Sequence, residues 1–180
     1  MLSRIYLTGF MGSGKSTIGP ILANTLGWNF FDLDTEIEKK EGNSISRIFE
    51  EKGEDYFRRL ESEMLSELSS KENSIIALGG GAITFEANLE VLKKTGKTIY
   101  LRISPESAYY RLRHKRDRPV LMKNGNMNLG KDEFINKISL LINERKEFYE
   151  KADFIIDADK ASLGKTVDII VKIITKEKGS

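Results

Sequence analysis

Nine residues, Gly9-Phe10-Met11-Gly12-Ser13-Gly14-Lys15-Ser16-Thr17, fill the pattern GxxxxGK[ST] directly after the apolar run Ile5-Tyr6-Leu7. The chemistry this pattern supports is capture of a nucleoside triphosphate. Glycines at 9, 12 and 14 allow left-handed turns that aim successive backbone N–H groups inward, around a β-phosphate at the head of the following helix. Lys15 adds a compact positive charge. The Ser16 hydroxyl is the expected magnesium ligand, and Thr17, one residue further into the helix, lies near the α-phosphate. Gly12, Ser13, Gly14, Lys15, Ser16 and Thr17 are therefore the candidate nucleotide contacts. A glycine-rich turn that merely opens a helix is the plainer alternative, but strand, loop and helix follow here in the order a phosphate loop requires.

Other residues could do chemistry beside such a loop. Asp32 and Asp34 end the run Phe30-Phe31-Asp32-Leu33-Asp34, and on a strand, residues two apart share a face. Asp32 could then hold magnesium through water, while Asp34 reaches the hydroxyl that attacks the γ-phosphate. Both could equally be solvated acids that cap a helix over 35–40. Gly79-Gly80-Gly81 follows the buried-looking run 74–78 and allows a ligand to approach the backbone, although a flexible turn would also use glycine. Arg58 and Glu61, three apart on a helix, share a face and by themselves read as an exposed ion pair. Arg145, in a charge-rich helical stretch, reads by itself as solvated. The run Arg111 to Arg118 holds four arginines, Lys115 and His114. It could bind nucleic acid or be a solvated helix end; beside a phosphate loop it reads as a lid that brings a guanidinium to the transferring phosphoryl group.

The elements that must position these residues follow from periodicity. Five apolar runs, at 5–7, 29–33, 74–78, 98–103 and 153–156, read as strands. Ile18, Ile21, Leu22 and Leu26 recur at helical spacing and end at Gly27, with Pro20 expected to relax or kink that helix. The stretch 44–69 reads as a helical pair interrupted at Gly53. Ser104-Pro105-Glu106 opens a further helix with an N-cap serine and a first-turn proline, 119–130 has loop composition, and a helix follows over about 131–150. Strands alternating with helices imply an α/β fold, a parallel sheet covered on both faces, with ligands at the carboxyl ends of the strands.

Composition narrows the function classes. A chain of 180 residues accommodates one full core and is short for two. With 29 Lys plus Arg against 27 Asp plus Glu, the near-neutral balance favours neither nucleic-acid coating nor an acidic solvating role. No cysteine is present and His114 is the single histidine, which excludes disulfides and thiolate or His-based metal sites. The start Met-Leu-Ser-Arg carries no apolar stretch of the roughly 7 to 15 residues a signal peptide needs, and no run approaches the roughly 18 of a membrane span. The expected location is cytoplasmic, with no membrane partner.

Taken in order, these motifs make the chain similar to the shikimate kinases from Ile5 to about Asp157. The phosphate loop, Asp32-Leu33-Asp34, Phe57-Arg58-Arg59-Leu60-Glu61, Gly79-Gly80-Gly81, Arg118-Pro119-Val120-Leu121, and Arg145 with Tyr149 and Ala152 each match the family's pattern. Val120 stands where a leucine is common, and Met122 to Gly130 is long and Asn-rich for the lid. The resemblance implies a P-loop three-layer fold of the nucleoside-monophosphate-kinase type, with a five-stranded parallel sheet, a helical substrate-binding region and a lid. One domain over 1–180 would comprise a core (1–33, 74–110 and 131–180), a substrate-binding region (about 34–70) and the lid (about 111–130). It implies transfer of the γ-phosphoryl group of ATP to the 3-hydroxyl of shikimate, a step of aromatic amino-acid biosynthesis, with Mg2+ held by Ser16 and Asp32. Lys15, Asp34 and Arg118 would be catalytic. Asp34, Arg58, Gly80, Gly81 and Arg145 would hold shikimate, Glu61 would position Arg58, and Arg111 would stack on adenine. A monomer is expected. The rivals are a gluconate or nucleoside-monophosphate kinase, and a nucleotide switch or nucleic-acid module. Against the switch, no NKxD or DxxG motif is present.

Overall fold

Ile5, Tyr6 and Leu7 are fully buried, and their strand β1 (Arg4–Thr8) pairs in parallel on both edges. This computed structural model describes residues 2–113 and 130–178. Four further strands, β2 (Asn29–Asp32), β3 (Ser74–Ala77), β4 (Lys97–Arg102) and β5 (Phe154–Asp157), complete one parallel sheet in the order β2-β3-β1-β4-β5. The five expected strands are all present, each within a residue of its expected ends. Alternation sorts the side chains of β1 to two cores. Ile5 and Leu7 face one core, with Ile18 and Leu22 of α1 (Lys15–Leu26) and Ile170 and Ile174 of the C-terminal helix α7 (Leu163–Lys178). Tyr6 faces the other, with Leu33 and Ile37 of α2 (Leu33–Glu41), Leu60 and Leu65 of α3 (Ile45–Leu68), and Leu92 of α4 (Glu86–Thr95). Among the described residues the remaining α-helices are α5 (Pro105–Leu112) and α6 (Lys131–Tyr149).

Register brings the loops together. Leu7 pairs with Ala77, and Ala77 with Asp32, so the chain leaves three adjacent strands from one row of the sheet. The connection from β1 runs outward to β2, whereas that from β3 crosses to β4 on the opposite side. The carboxyl ends of these neighbours open a crevice where the connections diverge, the place α/β sheets bind ligands.

Local sequence explains the helix boundaries. Helix α1 starts after Gly14 (φ 103°), stops at Gly27 (φ 66°), and runs unbroken through Pro20. Gly19 is required for space, because a Cβ there would lie 2.1 Å from Cε2 of Phe30 on β2. Helix α3 is two helical halves joined at Gly53, whose φ of 79° and ψ of 173° leave the helical region, as the glycine interruption predicts. Ser44 caps it, accepting from the Arg47 amide at 3.3 Å. Ser104 caps α5 by accepting from the Ser107 amide at 3.2 Å, with Pro105 at the first helical position.

Strand β2 is shorter than the expected 29–33. Leu33 opens α2 and is fully buried in the second core, while Asp32 caps the helix through the Thr35 amide at 3.4 Å. Asp32 and Asp34 therefore do not share a strand face; one is the N-cap and the other lies in the first turn.

Candidate active site

The phosphate loop is built by three glycines at positive φ, Gly9 at 142°, Gly12 at 81° and Gly14 at 103°. Gly9 also satisfies a packing demand, since a Cβ there would lie 2.6 Å from the Leu101 carbonyl oxygen and 2.9 Å from Ser13 Oγ. Ser13 is buried, and its amide donates to the Phe10 carbonyl at 3.1 Å, which tightens the loop. The first amides of a helix have no intrahelical acceptor, so the start of α1 is an anion site by construction. Lys15 Nζ donates to the Gly9 carbonyl at 2.7 Å and to Phe10 at 3.3 Å, which keeps its ammonium on the loop. Thr17 is exposed in the first turn, its amide bonded to the Gly14 carbonyl at 3.0 Å.

Ser16 Oγ donates to Asp32 Oδ2 at 2.8 Å. The capping role and the metal role expected for Asp32 are thus compatible, since Oδ1 faces the Thr35 amide and Oδ2 faces Ser16. Two hard oxygen donors side by side at the phosphate loop suit magnesium.

Next to this loop, the Leu78 amide donates to the Leu7 carbonyl at 2.9 Å, which sets the Gly79-Gly80-Gly81 turn beside Gly9. The turn is glycine for room rather than flexibility, because each position receives a different side chain. A Cβ on Gly79 would lie 2.6 Å from Asp34 Oδ1 and 3.0 Å from Glu61 Oε1. One on Gly80 would be 3.2 Å from Arg145 Nη1, and one on Gly81 would be 2.9 Å from Arg58 Nη1. Two carboxylates and two guanidinium groups, separated in sequence, therefore converge on three residues of backbone.

The guanidinium groups are held firmly. Arg145 Nη1 donates to the Gly80 carbonyl at 3.0 Å, and the hydroxyl of buried Tyr149 donates to the same oxygen at 2.9 Å. Tyr149 stacks on Tyr100 with ring centroids 4.9 Å apart, anchoring the end of α6 to β4. Arg58 Nη1 donates to Glu61 Oε2 at 2.9 Å and Nη2 to Glu54 Oε1 at 3.2 Å, and the rings of Phe57 and Phe85 lie 5.2 and 5.0 Å from its Cζ.

The exposed ion pair read from the Arg58 and Glu61 spacing is not what forms, since Glu61 is 1% exposed. Burial pushes the Glu61 carboxyl up to about 7, against the opposing pull of Arg58, with the nearby Asp34 charge raising it further and Arg145 lowering it. A carboxylate buried at such cost is tolerable where it fixes a guanidinium.

Arg111 reaches the phosphate loop from α5, donating to the Gly12 carbonyl at 2.8 Å, with Asp159 Oδ1 3.7 Å from its Nη2. Arg118, the Pro119-Val120-Leu121 segment, and most of the expected lid lie outside the described residues. The sequence reading missed Glu54, Phe85 and Asp159; Phe85 and Asp159 touch these arginines from distant segments and carry no spacing signal, whereas Glu54 stands four residues before Arg58 on α3, an interval that sequence does offer. The hydroxyl of Tyr149 was visible only as part of a motif.

The shikimate kinase family model matches residues 11–175 of the chain. The chain belongs to the shikimate kinase family. Among curated relatives, the shikimate kinase of Chlorobaculum parvum is 44% identical over 174 residues, 97% of this chain and 93% of that protein. Among solved structures, the shikimate kinase of Acinetobacter baumannii in complex with shikimate is 36% identical. It has a TM-score of 0.88 and aligns over 99% of this chain and 96% of that one. The shikimate kinase of Bacteroides thetaiotaomicron is also 36% identical, with a TM-score of 0.87 over 97% and 99% of the two chains. The family is one of ATP-dependent kinases.

Proposed function

We propose that this chain transfers the γ-phosphoryl group of ATP to the 3-hydroxyl of shikimate, giving shikimate 3-phosphate and ADP for aromatic amino-acid biosynthesis. The observation that carries this reading is the convergence of Asp34, Arg58 and Arg145 on the glycine turn beside the phosphate loop. Shikimate is a small cyclic carboxylate. Its planar anion suits two-pronged guanidinium contacts from Arg58 and Arg145, with Gly80 and Gly81 lining the site. A nucleotide acceptor would demand a base pocket in addition.

Phosphoryl transfer passes through a loose transition state, so the protein contributes mainly position and charge. The loop amides of Gly12, Ser13 and Gly14, with Lys15, Ser16 and Thr17, hold the triphosphate, and Arg111 packs against adenine from α5. Lys15 and Arg118 stabilise charge on the transferring group, and Asp34 orients or deprotonates the 3-hydroxyl for in-line attack. Ser16 and Asp32 would hold Mg2+, which when bound neutralises phosphate charge. Glu61 positions Arg58. In this reading 34–70 supplies the acceptor site and 111–130 the lid on a single domain. We read the enzyme as a monomer. Among the described residues no helix is long and apolar enough to cross a membrane, and we read the enzyme as cytoplasmic.

Measuring ADP release with shikimate, gluconate and nucleoside monophosphates as acceptors tests the proposal. Turnover confined to shikimate is expected. Faster turnover with either other acceptor would overturn the substrate assignment.

A further inference from the structure

We propose that Glu54 is a built-in competitor for the acceptor's carboxylate on Arg58, so that its charge sets how tightly the site holds an anionic acceptor. This rests on Arg58 being the carboxylate grip described above. Arg58 carries two carboxylates of opposite character. Glu61, three residues on, is 1% exposed and belongs to the fixed scaffold. Glu54, four residues before, accepts from Nη2 at 3.2 Å while its side chain remains 57% exposed. Such a half-solvated pair is weak and readily exchanged.

The rest of the guanidinium is enclosed. A Cβ on Gly81 would lie 2.9 and 3.0 Å from the two terminal nitrogens, the Phe57 and Phe85 rings approach Cζ, and Nε is buried without a hydrogen-bond partner among the described residues. Nη1 is committed to Glu61. An incoming carboxylate seeking two N–H donors must therefore engage Nη2, the amine that Glu54 holds. Two carboxylates on one amine repel, so Glu54 must swing away. Its position allows this: Gly53 breaks α3 directly before it, so Glu54 begins the second helical half, where a rotamer change disturbs no preceding helical turn. The alternative role, a second brace that orients Arg58 as Glu61 does, would need a buried carboxylate at this position. Exposure speaks against it.

Calorimetric titration of the full chain with shikimate separates the two. Glu54→Gln keeps the size and an acceptor oxygen but removes the charge, and should lower the Kd for shikimate about 2- to 5-fold. Asp55→Asn, which removes the neighbouring exposed charge, should shift Kd less. In an Arg58→Ala background, Glu54→Gln should have no effect, since nothing remains to compete for. If Arg58→Ala weakens binding strongly but Glu54→Gln leaves Kd unchanged or raises it, the competitor role is overturned and the carboxylate grip stands. If Arg58→Ala leaves shikimate binding intact, the grip itself fails and the competitor role falls with it.

Discussion

At the scale of single residues, the glycine turn and Glu61 give the sharpest expectations. Gly79→Ala places a methyl group 2.6 Å from Asp34 Oδ1, the far end of a side chain that can shift. The fold should survive with little change in Tm, whereas kcat should fall about 10²-fold, the cost of misplacing a reacting group by about 1 Å. Gly81→Ala crowds Arg58 instead and should raise the KM for shikimate more than it lowers kcat. Lys15→Ala should reduce kcat by at least about 10²-fold with circular dichroism unchanged, as expected on losing a group that stabilises developing charge. Glu61 makes a pH prediction. Its carboxyl is raised to about 7 from an ordinary 4.5, so the folded chain binds the extra proton between those values, and stability falls as pH rises through that window. Glu61→Gln removes this dependence. Between pH 5 and pH 8 its unfolding free energy should gain about 2 to 3 kcal/mol relative to the parent chain, read by urea denaturation at both pH values. The burial of Glu61 was not visible from spacing, because the same three-residue interval describes an exposed ion pair as well as a buried one, and burial depends on what packs above the helix.

At the scale of elements, two glycines separate space from conformation. Gly19→Ala drives a methyl group into Phe30 and should cost about 1 to 3 kcal/mol despite alanine's better helix propensity, since α1 must move off β2. Gly53→Ala meets no atom within 4 Å, yet its backbone lies where other residues are strained, and a loss of about 1 to 3 kcal/mol is expected. Urea denaturation of each variant reads both. The strands were legible because their apolar runs are short and bounded, and α5 was legible because Ser104 and Pro105 mark its start. Helix α7 was not assigned even though Val167, Ile170 and Ile174 recur at helical spacing, all buried against the first core. Helix α4 offered less, with only Asn88 and Leu92 buried along its length. The boundary between β2 and α2 was misplaced because Phe30, Phe31 and Leu33 form one apolar run in sequence, while the chain changes direction at Asp32 to place Leu33 in the second core.

At the scale of the whole molecule, sheet order turns scattered residues into one site. Leu7, Ala77 and Asp32 stand in one row across three strands, and the segments that follow are the phosphate loop, the glycine turn and the first turn of α2 with Asp34. Convergence of these loops was legible from the alternation of strands and helices, and the ordered motifs supplied the family. Arg145 required the fold: only when the end of α6 is anchored by the Tyr149 and Tyr100 stack does its guanidinium reach Gly80, on a residue 65 positions earlier in the chain. The central claim is that Arg58 and Arg145 hold an acceptor carboxylate opposite the phosphate loop. A crystal structure of the full chain with ADP and shikimate tests it most directly. The account predicts the shikimate carboxylate bonded to both guanidinium groups, the 3-hydroxyl against Asp34 and the ADP phosphates in the loop amides; a carboxylate bonded elsewhere, or a 3-hydroxyl turned away from the nucleotide, would contradict it.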